Sequence, residues 1–143
     1  TMSRGDSKAA ATVDDLPTLL HRLEQRADVV WRDARIAITR RQFHLLSAVR
    51  EQEGLSQTAL VEDTGIDRST LADVVRRMHR KGMLVRRRTK EDARAYAVRI
   101  TDAGRRAHSA ADKRSRGTAS ALLERLSTAE QQQLVGLLTK AVG

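Results

Sequence analysis

The chain has no cysteine, a single proline, and no long apolar run. The missing cysteine excludes a disulfide framework, a thiolate nucleophile and any Cys-based zinc site. No apolar stretch approaches the roughly 18 residues that span a membrane, so an intracellular, cytoplasmic protein is the expectation. There is no H-E-x-x-H pair, no glycine-rich phosphate loop and no nucleophile elbow. His21, His44, His79 and His108 lie far apart in sequence and read as ordinary surface or core histidines. Their spacing alone leaves a shared zinc or haem site open. The reading is therefore not an enzyme, with no cofactor and no metal. At 143 residues the chain suffices for one ordinary domain with extra helix to serve an interface.

What the chain has is positive charge, unevenly placed. Lys and Arg number 27 against 18 Asp and Glu, a formal charge of +9. From Arg68 to Arg94 ten basic residues (68, 76, 77, 80, 81, 86, 87, 88, 90, 94) face three acidic ones (73, 91, 92), a local balance of +7. A polyanionic partner is implied, although charge says nothing about fold.

Thr1 and Met2 read as a remnant ahead of a natural start, and the polar, small residues after them as a mobile arm over 1–13. Leu16, Leu20, Leu23, Ala27, Val30, Trp31 and Ala34 recur at three-to-four spacing, which predicts one amphipathic helix. A second helix is predicted from a Thr39 cap to just before Gly54. In "LSQTALVEDTGIDRSTLADVVRRMHRKG", Ser56 and Asp67 each cap a helix, with Leu55/Leu60 and Ile66/Leu71 as possible hydrophobic staples. Gly65 supplies the turn between them, and the whole reads as a helix-turn-helix.

Gly82 ends the second of these helices, and "MLVRRR" and "AYAVRI" then read as the two strands of a hairpin. Tyr96, Val98 and Ile100 are expected on its covered face. Thr101 caps a long helix expected to bend near Gly117, and "STAE" at 127–130 is a capping box. The last helix carries Leu134, Leu137, Leu138 and Ala141 on one face. The expected fold is mainly α with a small β-hairpin wing, a winged helix-turn-helix.

Such a module binds DNA by placing a slim helix in the major groove and cations on phosphates. Arg68, Ser69, Thr70 and Arg77 stand where base edges or nearby phosphates would be met. Ser56 and Gln57 are placed for the backbone at the preceding helix start, and Arg76, Arg80, Lys81, Arg86 and Arg88 for phosphates. Asp73 is four residues before Arg77 and is best read as its ion-pair partner. A winged-helix protein-interaction module, or a DNA-binding protein without an effector, remains the alternative.

Three stretches resemble the multiple-antibiotic-resistance regulator (MarR) family: "ITRRQFHLLSAV", "LSQTALVEDTGIDRSTLADVVRRMHRKGMLVRR" and, most specifically, "EDARAYAVRITDAGR". The last resembles the family's wing signature of Asp, one residue, Arg and a small residue, followed by a strand and Thr-x-x-Gly. The resemblance implies a homodimer whose terminal helices intertwine, leaving two winged modules to read a palindromic double-stranded operator. On that basis 14–37 and 102–143 are dimerisation helices flanking a DNA-binding domain over 38–101. It also implies a repressor released by a small, aromatic acidic effector. Asp92 would hold Arg94 at the wing tip, and Arg94 would enter the minor groove. Trp31, Arg35 and His44 lie beside the hinge where the family binds acids, and an indole with two potential cations suits an aromatic carboxylate. Family members that sense peroxide through cysteine are a poor guide to a chain that has none.

Overall fold

Local capping sets most helix starts. A computed structural model of the chain describes residues 9–89 and 96–143. A short 3-10 turn at Val13–Asp15 leads into α1, Leu16–Asp33, whose first turn holds Pro17 where no amide donor is needed. Helix α2, Arg40–Glu51, opens with a reciprocal capping box. Thr39 Oγ1 accepts from the Gln42 amide at 3.1 Å, and Gln42 Oε1 accepts from the Thr39 amide at 3.1 Å. Strand β1, Leu55–Ser56, runs directly into α3, Gln57–Thr64, and α4 follows at Arg68–Arg80. Gly65 makes the turn between them at φ 71°, a left-handed conformation that glycine adopts without strain.

The wing strands are β2, Leu84–Arg88, and β3, Tyr96–Ile100. The sheet order is β1-β3-β2, antiparallel throughout, with Leu55 opposite Val98, Leu84 opposite Ile100 and Arg88 opposite Tyr96. The third strand corrects the two-stranded expectation, since two residues carry no periodicity to read. Tyr96 is a second correction. Val98 and Ile100 are buried, but Tyr96, paired with Arg88 at the loop end of the hairpin, is 37% exposed.

Helix α5 spans Asp102–Ser115, with the Thr101 hydroxyl accepting from the Gly104 amide, and α6 spans Thr118–Leu122. The break falls at Gly117, as the weak mid-helix pattern predicts. Helix α7, Thr128–Val142, starts with the predicted capping box between Ser127 and Glu130. Gly104 is required by packing: a Cβ there would lie 2.2 Å from the Met83 carbonyl oxygen and 2.8 Å from Ile100 Cγ1.

One core is complete and it belongs to the wing and its helices. Leu45, Leu46, Val49, Leu60, Leu71, Val75, Met78, Leu84 and Val98 are fully buried. By contrast α1 and α7 contain no buried residue. Helix α1 packs against α6, with Arg26 paired to Glu124 at 2.9 Å, but its outer leucines stay open to solvent.

Candidate nucleic-acid interface

The second helix of the helix-turn-helix is oriented by its apolar stripe. Leu71, Val74, Val75 and Met78 face the core, so Arg68, Ser69, Arg76, Arg77 and Arg80 stand on the open side, with Lys81 just beyond the helix end. Its start is pinned by Asp67, whose carboxylate accepts from the Thr70 amide at 3.1 Å and the Ser69 hydroxyl at 2.9 Å. Hydrogen bonds from Thr70, and then Ser69, hold the Asp67 carboxyl down to about 2. A fixed negative charge thus occupies the helix N-terminus, so phosphate attraction falls to the exposed arginines along the helix. Asp73 pairs with Arg77 Nε at 3.1 Å, as the i, i+4 spacing predicts.

At the neighbouring helix start Ser56 Oγ accepts from the Ala59 amide at 3.1 Å, so one of its acceptor positions is already used. Gln57 sits beside it, half-buried. In the wing, the Arg86 and Arg88 guanidiniums lie 5.8 and 5.9 Å from the Tyr96 ring centroid, a cation–π arrangement that steadies both cations on one face of the hairpin. Asp92 and Arg94 lie outside the described residues. His79 Nδ1 donates to the Leu84 carbonyl at 3.0 Å and joins α4 to β2.

A groove of about 740 Å³ runs beside the recognition helix, lined by Thr70, Asp73, Val74 and Arg77 on one wall and by Arg40, Arg41 and His44 of α2 on the other. Sequence reasoning missed this wall, although two arginines in the first turn after the Thr39 cap were its signal. Arg40 is held by Glu24 at 2.6 Å and Asp28 at 3.0 Å. Burial opposes its charge, but those two carboxylates outweigh that and raise its pKa. Arg41 next to it is exposed.

The three residues expected to hold an effector are not brought together. Trp31 Nε1 donates to the Ile38 carbonyl at 2.8 Å, and its ring packs 5.3 Å from Phe43. Arg35 is exposed and lies past the end of α1 at φ 55°. His44 lines the groove beside Arg41 and Thr70. Beneath Trp31 and Phe43 the structure gathers His108 and Ser47 instead, a grouping for which the sequence spacing gave no sign. Among the described residues, no group of three or more His, Asp or Glu side chains is placed to hold a metal.

A helix-turn-helix backed by a three-stranded wing and faced with exposed arginines defines a DNA-binding protein of the winged class. Residues 38–96 match the MarR family. The PcaV transcriptional regulator of Streptomyces coelicolor, solved with its natural ligand, is 31% identical; the alignment covers 94% of this chain and 96% of that one with a TM-score of 0.82. BpsR of Bordetella bronchiseptica, solved in a study of how 6-hydroxynicotinic acid regulates its DNA binding, is 26% identical over 90% of this chain and 99% of that one, with a TM-score of 0.82. A putative regulatory protein for the hcr operon of Thauera aromatica is 32% identical over 98 residues, 68% of this chain but only 59% of that protein's length. The chain belongs to the MarR family of winged helix-turn-helix transcriptional regulators. It is a DNA-binding regulator of transcription.

Proposed function

We propose that the protein is a homodimeric repressor that binds a palindromic operator and is released by a small aromatic acid. The observation that carries this reading is the division of the chain into a winged domain with a finished core and terminal helices without one. Segments 14–37 and 102–143 then serve as dimerisation helices around a DNA-binding domain at 38–101. Pairing them across a two-fold axis covers their apolar rows and sets two recognition helices side by side.

On each half-site Arg68, Ser69, Thr70 and Arg77 meet base edges or adjacent phosphates, and Ser56 and Gln57 meet the backbone. Arg76, Arg80, Lys81, Arg86 and Arg88 supply phosphate contacts. Arg94, oriented by Asp92, reads the minor groove from the wing tip. For the effector, the regulation of BpsR by 6-hydroxynicotinic acid supports a small organic acid by likeness, and PcaV was solved with a natural ligand bound. Trp31 reports on its site, and Arg35 and His44 are the cations assigned to it.

A band shift and sedimentation run with DNA flanking the protein's own gene test the reading. A dimer should bind half-sites centred about 34 Å apart, or a small multiple, with affinity falling steeply as salt rises. A saturable change in Trp31 fluorescence with an aromatic acid that also releases DNA should accompany it. A micromolar monomer with salt-insensitive binding would overturn the proposal.

A further inference from the structure

His108 of α5 is only 5% exposed, yet it is surrounded by polar partners from α2. Its ring stacks on Phe43 at 4.9 Å with the planes 8° apart. Nε2 lies 2.8 Å from Ser47 Oγ, and Nδ1 lies 3.3 Å from Arg50 Nη1. Ser47 Oγ also donates to the Phe43 carbonyl at 3.0 Å.

These partners fix the protonation state. A guanidinium only donates, so Nδ1 must accept from Arg50. The Ser47 proton is committed to a carbonyl, so Ser47 Oγ must accept from Nε2–H. One neutral tautomer therefore satisfies every group, and a second ring proton satisfies none. On Nδ1 it would set donor against donor and cation against cation at Arg50. The other charged groups lining this cavity of about 400 Å³ are Glu51 on α2 and Asp112 on α5, which favour the cation, each more weakly than Arg50 opposes it. Burial first, and Arg50 second, hold the imidazole below its ordinary value.

We propose that His108 is a positioning residue: neutral, it joins α5 to α2 and so fixes the winged domain on the terminal helices; protonated, it releases that joint and weakens operator binding. The DNA half of this inference rests on the dimeric reading above, in which the joint sets the distance between the two recognition helices. The joint itself does not. Acidification elsewhere on the surface adds positive charge and strengthens binding to any DNA, so loss of operator binding in acid would run against the general trend.

The test compares the wild type with Arg50→Met, which removes the opposing cation from an exposed position and spares the core, and with His108→Gln. Binding to a labelled duplex of the gene-flanking DNA and to a random duplex is read at one salt concentration from pH 7.5 to 5.5. The ratio of operator to random affinity should fall about fivefold in the wild type and stay level in both variants. Amide exchange of α5, measured without DNA and corrected for its intrinsic pH dependence, should quicken in acid in the wild type only. Superimposed profiles for wild type and Arg50→Met in both measurements would overturn the proposal. A quickened α5 in a protein that fails to bind the duplex at pH 7.5 would support the joint and overturn the operator reading instead.

Discussion

Leu71 and Leu137 occupy helices of similar length and meet opposite ends: the first is fully buried, the second 59% exposed. The same contrast separates the winged domain from the terminal helices as a whole. In α4 the apolar stripe has α2, α3 and the wing to close on. In α1 and α7, Leu16, Leu19, Leu20, Val135, Leu137 and Leu138 have no such cover. Fully burying a leucine is worth roughly 1.5–3 kcal/mol, so an open row of this size is a large free energy left unrealised in one chain. The winged helix-turn-helix closes a core of its own; the terminal helices leave their apolar rows open.

The largest expected effect comes from breaking that half. Leu20→Glu combined with Leu137→Glu should leave the helical content of the winged domain intact but give a monomer in sedimentation at micromolar concentration. Operator affinity should fall by at least about 100-fold, the smaller end of what linking two binding sites contributes. A dimer that survives both charges would place the interface elsewhere. Gly104→Ala attacks the other side of the comparison. Its methyl would meet the Met83 carbonyl and Ile100, and the expected destabilisation is about 1–3 kcal/mol, as for an overpacked core. Thermal unfolding should drop while sedimentation still shows a dimer.

Smaller effects divide the basic face. Thr70→Ala or Arg77→Ala should cost about 1–3 kcal/mol on operator and much less on random DNA, if these side chains read base edges. Arg41→Ala, from the groove wall opposite, should weaken both DNAs alike and lower the salt slope by about 1, the signature of one lost phosphate contact. Equal selectivity loss in all three variants would mean that the groove wall, and not only the recognition helix, reads sequence.

Legibility followed the same boundary. Helix starts were readable because caps are local: Thr39, Ser56, Asp67, Thr101 and Ser127 each accept the amide their spacing predicts. The recognition stripe and the Asp73–Arg77 pair were readable for the same reason, each being set within one helix. What escaped depends on partners distant in sequence. Strand β1 forms where Leu55 meets Val98, and Tyr96 is left partly exposed where it pairs with Arg88 at the loop end of the hairpin. The grouping of Trp31 with Phe43 and His108 follows from how α1 and α5 pack on α2, which no spacing within any one helix encodes.

The smallest effect uses acid to compare two caps, one in each region. The folded Asp67 carboxyl sits at about 2 against an ordinary 3.8, held there by Thr70 and Ser69. A depressed carboxyl contributes stability that is fully present above its unfolded value and is lost as pH falls through the folded one. The window for Asp67 therefore runs from about pH 4 down to about pH 2. Asp67→Asn keeps an acceptor at the cap and removes only the charge, so wild type should be the more stable above pH 4 and the two should converge toward pH 2. Glu130, at the start of α7, is also lowered, by the Ser127 amide and hydroxyl. Its contribution should appear in Glu130→Gln only while α7 unfolds with the rest, as the proposed dimer would ensure. In the monomeric double variant α7 should melt separately, so Glu130→Gln should lose its effect on the main transition while Asp67→Asn keeps its own. Acid curves in which Glu130→Gln acts equally on dimer and monomer would show that α7 is already part of the single-chain fold, and the division between the two regions would have to be drawn elsewhere.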